Sequence, residues 1–363
     1  MNAVATILAG GVDAYLWPQS RQQMPKFCLP LHPDGSMLQS TLRRLQPLFP
    51  PDRIAIATTT ALSSLLQRHL PDFPPTQLIL EPIARNTAPC LALSALWWEQ
   101  RCSPDTVLFL FPADHAIANV GEFHQSVEHA AWAASSTQRP VVLGLPPSRP
   151  ETRFGYIQIE EAPELQIGQE YVFRVRTFAE KPDLETAQRF LELGDFLWYS
   201  GILALPIATA WKLLERYRPD YYSLFAELRC QRFHSQEFLS AIEALYRQLR
   251  PLSIEHGLLE IAASQMLALR CSFDWSDVGT WDEVYRRSLK DPRGNVLHGD
   301  VIALDTTSCY VSACGGKPVA LVGVNDLIVI ETEHATLICP RGISERVAEV
   351  VRYLRRKKRH NLL

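Results

Sequence analysis

The chain of 363 residues has no uninterrupted apolar run near the ~20 residues that a membrane-spanning helix needs. It has no excess of one charge either. Thirty-nine acidic residues against 36 basic ones leave a net charge of −3, so there is no global basic field for nucleic acid. The basic run Arg355, Arg356, Lys357, Lys358 and Arg359 reads as a solvated tail that favours a helix dipole. The cysteines Cys28, Cys90, Cys102, Cys230, Cys271, Cys309, Cys314 and Cys339 form no close pair at metal-ligand spacing. Several lie inside apolar segments as small core residues, a use of cysteine that fits a reducing cytoplasm. Met1 to Ala9 is apolar but has no basic leader and runs straight into Gly10 and Gly11, so it reads as a buried strand rather than an export signal. No linker rich in glycine or serine divides the chain.

Hydrophobic residues at 47% and charged residues at 21% describe a folded chain and exclude wholesale disorder. At ~150 residues per domain, the length suggests two domains or one with an appendage. Short β-branched or apolar runs recur at Ala3 to Ala9, Arg53 to Thr58, Gln77 to Leu80, Thr106 to Phe111 and Arg139 to Leu145. Thr106 to Phe111 is apolar on both faces, as a central strand of a covered sheet must be. Helical stretches fall between them, including Asn86 to Gln100 and Glu122 to Ser135. The alternation predicts a Rossmann-like, open α/β sheet.

Ligands of such sheets bind beyond the carboxyl ends of the strands. Two loops there are expected to line one crevice, Gly10 to Arg21 and Pro112 to Ile117. From about residue 290, short segments separated by turn residues predict a small all-β unit, closed by an amphipathic helix from Ser344 with Val347, Val350, Val351 and Leu354 on one face. The expected domains are residues 1–289 and 290–363.

Five stretches carry possible chemistry, each with a plainer alternative. In LAGGVDAYLWPQSRQQMPKF, the backbone at Gly10 and Gly11 permits close approach of a phosphate that Arg21 and Lys26 could neutralise; the alternative is a tight turn. In FPADHAI, Asp114 just past a buried strand could hold a divalent cation, or cap a helix. In EPIARNTAP, Asn86 and Thr87 sit at a helix start, to cap it or to read a ligand. FAEKP places Glu180 before Lys181 at a strand end, a ligand pair or a surface ion pair worth ~0–1 kcal/mol. In WSDVGTW, Asp277 lies between aromatic residues and needs a partner, of which a cation is one.

Taken together and in this order, these stretches resemble the mannose-1-phosphate guanylyltransferases, within the nucleotide-sugar pyrophosphorylase superfamily. LAGG, LWP, SR, PK, EPIARNTAP, PADHAI, ETRFGYI, FAEKP, WYSGI, SIEHGLLE, WSDVGTW, GNV and GVNDLIVIET carry the likeness across nearly the whole chain. The resemblance implies a GT-A-like nucleotidyltransferase domain with a β-helix-like carboxyl unit. It implies that the phosphate of mannose 1-phosphate attacks the α-phosphorus of GTP with Mg²⁺, giving GDP-mannose and pyrophosphate. Under it Asp114 and Asp277 are the metal carboxylates, and Lys26 and Arg21 meet phosphate. Gly10, Gly11, Asn86 and Thr87 hold the nucleotide, while Gly155, Glu180 and Lys181 hold the sugar phosphate. A homodimer is compatible with it. Longer relatives add an isomerase domain for which this sequence leaves no room, so isomerase activity is not expected.

The chain also departs from the family. The phosphate loop usually continues Gly-Gly-x-Gly-Thr-Arg, whereas Asp13, Ala14 and Tyr15 stand here, moving the loop two charge units towards negative. A charge pair at ~4 Å is worth about 4 kcal/mol at an effective dielectric near 20, so even a third of that for each change makes the two together about a hundredfold in combined affinity or rate. Tyr199 stands where an asparagine is usual, and Ile261 where a lysine is expected. A second reading follows: a catalytically silent homologue that binds a sugar nucleotide or regulates an active relative.

Overall fold

The computed structural model describes residues 1–11, 14–31, 35–233 and 235–363. They divide into two compact units. The first comprises Met1–Gly10, Leu42–Ala113 and Ile117–Trp275; the second comprises Gly11–Thr41, Asp114–Ala116 and Ser276–Leu363.

In chain order the strands up to residue 276 are β1 (Ala3–Leu8), β2 (Ile54–Thr59), β3 (Leu78–Glu81), β4 (Val107–Pro112), β5 (Ala116–Ile117), β6 (Val141–Leu145), β7 (Gly155–Ile167), β8 (Glu170–Glu180), β9 (Phe196–Pro206), β10 (Leu267–Arg270) and β11 (Trp275–Ser276). The first unit is built on a nine-stranded mixed sheet in the order β3-β2-β1-β4-β9-β6-β10-β8-β7, with β7 also pairing β9. The expected open α/β sheet is therefore present. Its β3-β2-β1-β4 part is parallel, and β9 enters antiparallel beside β4. The apolar runs read from the sequence coincide with this parallel part and β6. The long hairpin β7–β8 was not read as strands: Glu160 to Gln166 offers a largely exposed, polar face, and the buried Val172, Phe173, Val175 and Phe178 of β8 are interrupted by the exposed Arg174, Arg176 and Thr177.

The helix Thr87–Glu99 explains why this half of the sheet is covered. Every residue from Ala88 to Trp98 is buried, so the helix is enclosed on all sides rather than amphipathic. It starts at Asn86, whose φ of 69° and ψ of −167° form a strained backbone conformation, and whose side-chain oxygen accepts the Thr87 N–H at 2.9 Å.

The second unit holds β12 (Val296–Gly299), β13 (Val301–Leu304), β14 (Tyr310–Ala313), β15 (Val319–Val322), β16 (Leu327–Glu331) and β17 (Thr336–Pro340). They form a four-stranded sheet, β12-β14-β16-β17, and a parallel pair, β13-β15. Successive strands alternate between the two sheets up to β16, so the chain winds as a coil and pairs with its own next turn. At the corner after β12, Gly299 has a φ of 86°, and a Cβ there would lie 2.1 Å from the Ala313 carbonyl oxygen; only glycine turns this corner. The expected terminal helix is Val347–Arg356, preceded by a 3-10 turn at Ser344–Arg346. Asp282 anchors that turn by accepting from Gly342 N–H, Ser344 N–H and Ser344 Oγ–H at 2.7, 3.0 and 2.5 Å.

The core of this unit joins distant stretches of chain. Leu16, Trp17, Leu29 and Met37 pack in one cluster with Trp281, Tyr310, Ile328, Val347, Val351 and Leu354. The Trp17 indole N–H donates to the Leu362 carbonyl at 2.8 Å, and the Trp281 indole donates to the Trp17 carbonyl at 3.0 Å. Gln19 donates to Ser312 Oγ at 2.9 Å.

Candidate active site

The residues singled out from the sequence gather in two groups, one in each unit. In the second unit, Pro25 leads into a 3-10 turn over Lys26–Cys28 that turns the Lys26 side chain inward. Its ammonium lies 2.6 Å from Asp114 Oδ2 and donates to the Asp277 main-chain carbonyl at 2.5 Å. The Lys26 side chain is 6% exposed and that of Asp114 29%. Burial alone would raise the Asp114 carboxyl, but Lys26, His115 and hydrogen bonds outweigh it and hold it below its ordinary value, so it is an anion at neutral pH. The Asp277 carboxylate accepts the Gly279 N–H at 3.1 Å. Beside it Val278 has a φ of 45°, a conformation strongly disfavoured for a β-branched residue, of the kind that clusters at functional sites. Loops after two different strands are thus brought to one ammonium.

Arg21 is held by its backbone, which pairs with Met24 in both directions at 2.9 and 3.0 Å. Its Nε is buried without a hydrogen-bond partner, and burial lowers the guanidinium pKa against the raising effect of Glu333. An orphaned donor of that sort suits an anion. Gly11 is exposed with no atom within 4 Å of a would-be Cβ. Tyr15 is half-buried, and Asp13 lies outside the described residues.

In the first unit, Gly10 follows β1, and a Cβ there would be 3.5 Å from Glu81 Oε2. Glu81 ends β3, is 4% exposed, and accepts from Tyr246 Oη–H at 3.1 Å. Burial pushes its carboxyl up to about 7 despite the lowering bonds from Tyr246 and Cys90. Asn86 caps its helix as the plainer reading held, and Thr87 Oγ accepts the Ile254 N–H at 2.8 Å. That bond ties the EPIARNTAP stretch to the SIEHGLLE run.

The next residue, Glu255, is raised by burial and by the charge of Glu180. Tyr199 is buried beside the same two carboxylates, which together with burial keep its phenol neutral. Glu180 pairs with the Lys181 ammonium at 2.8 Å; its side chain is 7% exposed against 60% for Lys181. A Cβ on Gly155 would fall 2.9 Å from Glu180 Oε2 and 2.8 Å from the Phe178 ring, so glycine keeps the space beside Glu180 open. Glu81, Glu255 and Glu260 belong to quoted motifs but received no role from the sequence. The signal for Glu81 was a carboxylate closing a strand just before the helix cap; the other two give none without the turn they share.

No three His, Cys, Asp or Glu side chains gather as a ready-made metal cage among the described residues. The carboxylates of Asp114 and Asp277 are the oxygen donors here that could hold a divalent cation once substrate phosphates and water complete its shell.

Comparison with known proteins gives the family of the chain. Residues 4–293 match the nucleotidyl transferase family model, and residues 299–354 match the MannoseP isomerase/GMP-like beta-helix domain. A mannose-1-phosphate guanylyltransferase of Escherichia coli is 32% identical over 97% of this chain and 75% of its own length. The mannose-1-phosphate guanylyltransferase ManC of Salmonella typhimurium is 34% identical over 98% of this chain and 73% of its own. A crystal structure from Thermus thermophilus, named a mannose-1-phosphate geranyltransferase, superposes with a TM-score of 0.84 at 31% identity, covering 98% of this chain and all of that one. This chain is a nucleotidyltransferase and belongs to the mannose-1-phosphate guanylyltransferase family.

Proposed function

We propose that the protein joins GTP and mannose 1-phosphate into GDP-mannose, releasing pyrophosphate. A sugar-phosphate oxygen forms the new bond to the α-phosphorus as the bond from that phosphorus to the leaving pyrophosphate oxygen breaks. The observation that carries the reading is the Lys26 ammonium, enclosed between the Asp114 carboxylate and the Asp277 carbonyl. Such a cluster is preorganised for phosphate charge before substrate arrives. Asp114 and Asp277 are the residues to hold Mg²⁺, which when bound neutralises phosphate oxygens and aligns them for displacement. Lys26 and Arg21 would meet the triphosphate, with Gly10 and Gly11 presenting backbone amides and Asn86 and Thr87 shaping the nucleotide side. Glu180 would accept from sugar hydroxyls, Lys181 would meet the sugar phosphate, and Gly155 leaves room for the hexose.

Incubation with GTP, mannose 1-phosphate and Mg²⁺ should release pyrophosphate. Release no greater than that of an Asp114→Ala variant sinks the proposal. The reading as a silent homologue rests on Asp13 and Tyr15. It requires that wild type be inactive and that the pair Asp13→Gly and Tyr15→Arg create turnover, whereas an active wild type gaining affinity for GTP supports the main reading.

No helix among the described residues is long and apolar enough to cross a membrane. The described cysteines are all free, which supports a cytoplasmic location. We place the domain division at residues 1–289 and 290–363; the family matches, which change over between residues 293 and 299, support it. A homodimer is supported by the outer face of β13 and β15, where Ile302, Leu304 and Val322 are exposed and uncharged. An apolar face of that kind suits a second copy related by a two-fold axis. Ile302→Lys should then sediment as a monomer while wild type sediments as a dimer; a monomeric wild type refutes the dimer.

A further inference from the structure

The group around Glu180 contains a carboxylate that the proposed reaction does not use. Glu260 directly follows a π-helical turn, Glu255–Leu259, a distortion frequent at functional sites. Its Oε1 accepts the backbone N–H of Glu180 at 3.2 Å, and its Oε2 lies 3.0 Å from His256 Nδ1. The next residue on the strand side, Lys181, has a φ of 50°, a left-handed conformation that a residue with a Cβ adopts only when its surroundings hold it. The Lys181 N–H donates to the Phe154 carbonyl at 3.1 Å, next to Gly155. Two consecutive amides of the turn are therefore fixed by acceptors from separate parts of the chain. One acceptor is main chain and cannot be lost by substitution. The other is a side chain, itself oriented by an imidazole.

We infer that Glu260 is a positioning residue for the sugar phosphate. It locks the turn at Glu180 and Lys181, so that an enclosed carboxylate and an exposed ammonium are presented in one orientation. The inference rests on the reading of Glu180 and Lys181 as sugar-phosphate contacts. An ordinary surface pair between His256 and Glu260 would explain the i,i+4 contact, but not the second oxygen turned to the Glu180 amide. Without Glu260, that partly buried N–H has no acceptor and the turn relaxes around Lys181.

Steady-state kinetics of the full chain with GTP, mannose 1-phosphate and Mg²⁺ tests this. Glu260→Ala should raise the KM for mannose 1-phosphate about tenfold and leave the KM for GTP within about twofold. Glu260→Gln keeps a carbonyl acceptor and should stay within about threefold of wild type for both substrates. His256→Ala should give a smaller rise of the same kind. Both KM values unmoved in Glu260→Ala, with only a lower Tm and a smaller active fraction, would reduce Glu260 to packing and overturn the inference. Equal losses in the Ala and Gln variants would overturn it too, since charge rather than the hydrogen bond would then matter. Lys181→Met is the control for the underlying reading. If it leaves the KM for mannose 1-phosphate unchanged, the sugar-phosphate assignment itself falls and takes the inference with it. If it raises that KM while Glu260→Ala does not, the inference alone fails.

Discussion

Two lysines of the same chain meet carboxylates in opposite ways. Lys26 is 6% exposed, with oxygens of Asp114 and Asp277 against its ammonium, whereas Lys181 is 60% exposed and leans on a carboxylate that is itself enclosed. In the first arrangement the cation is desolvated and fixed, so removing it leaves a carboxylate uncompensated and costs far more than the pair contributes. In the second the cation keeps its water, the attraction is screened, and the geometry must come from the backbone turn beneath it. The difference separates an enclosed, fixed cation from one that keeps its water.

The comparison can be broken by substitution. Asp114→Ala should have the largest effect, lowering kcat about 10³-fold in pyrophosphate release, because it removes both the partner of Lys26 and a carboxylate proposed to hold the metal. Lys26→Met should lower kcat about 10²-fold, with a loss that hardly changes between ~0.05 and ~0.5 M salt. Lys181→Met should cost about tenfold in the KM for mannose 1-phosphate, and the gap from wild type should narrow over the same salt range. Equal and equally salt-sensitive losses at the two lysines would erase the distinction.

The smallest effect expected is on stability. The Glu81 carboxyl, raised by burial to about 7 from an ordinary 4.5, binds a proton in the folded state that the unfolded chain releases. Its contribution is present in full below about 4.5 and is lost as the pH rises to about 7. Glu81→Gln should flatten the fall in Tm across that window, and an unchanged slope would place the titration elsewhere.

Much of this was legible before any coordinates. The parallel strands announce themselves as apolar runs because both faces are covered, and Asp114 stands out as a carboxylate two residues beyond the end of β4. The contact of Lys26 with the Asp277 carbonyl was not legible. A main-chain oxygen has no residue signature, and 251 positions separate the partners. Glu260 was hidden for a related reason: its role exists only once a π turn aims it at an amide 80 residues away. The expected boundary near 290 was read from a change of texture along the sequence. The second unit nevertheless also takes in Gly11–Thr41, whose place depends on long-range packing that no local pattern encodes.

That interleaving has a consequence for biogenesis. Trp17 donates to a carbonyl 345 residues further on, so its indole has no native acceptor until residue 362 has been synthesised. The loop carrying Arg21 and Lys26 emerges early from the ribosome but completes its native core only after Ser276–Leu363 has emerged, while the strands around β4 can already pair. Nascent chains should gain the large sheet first and the core around Trp17, with the loop that carries Arg21 and Lys26, last.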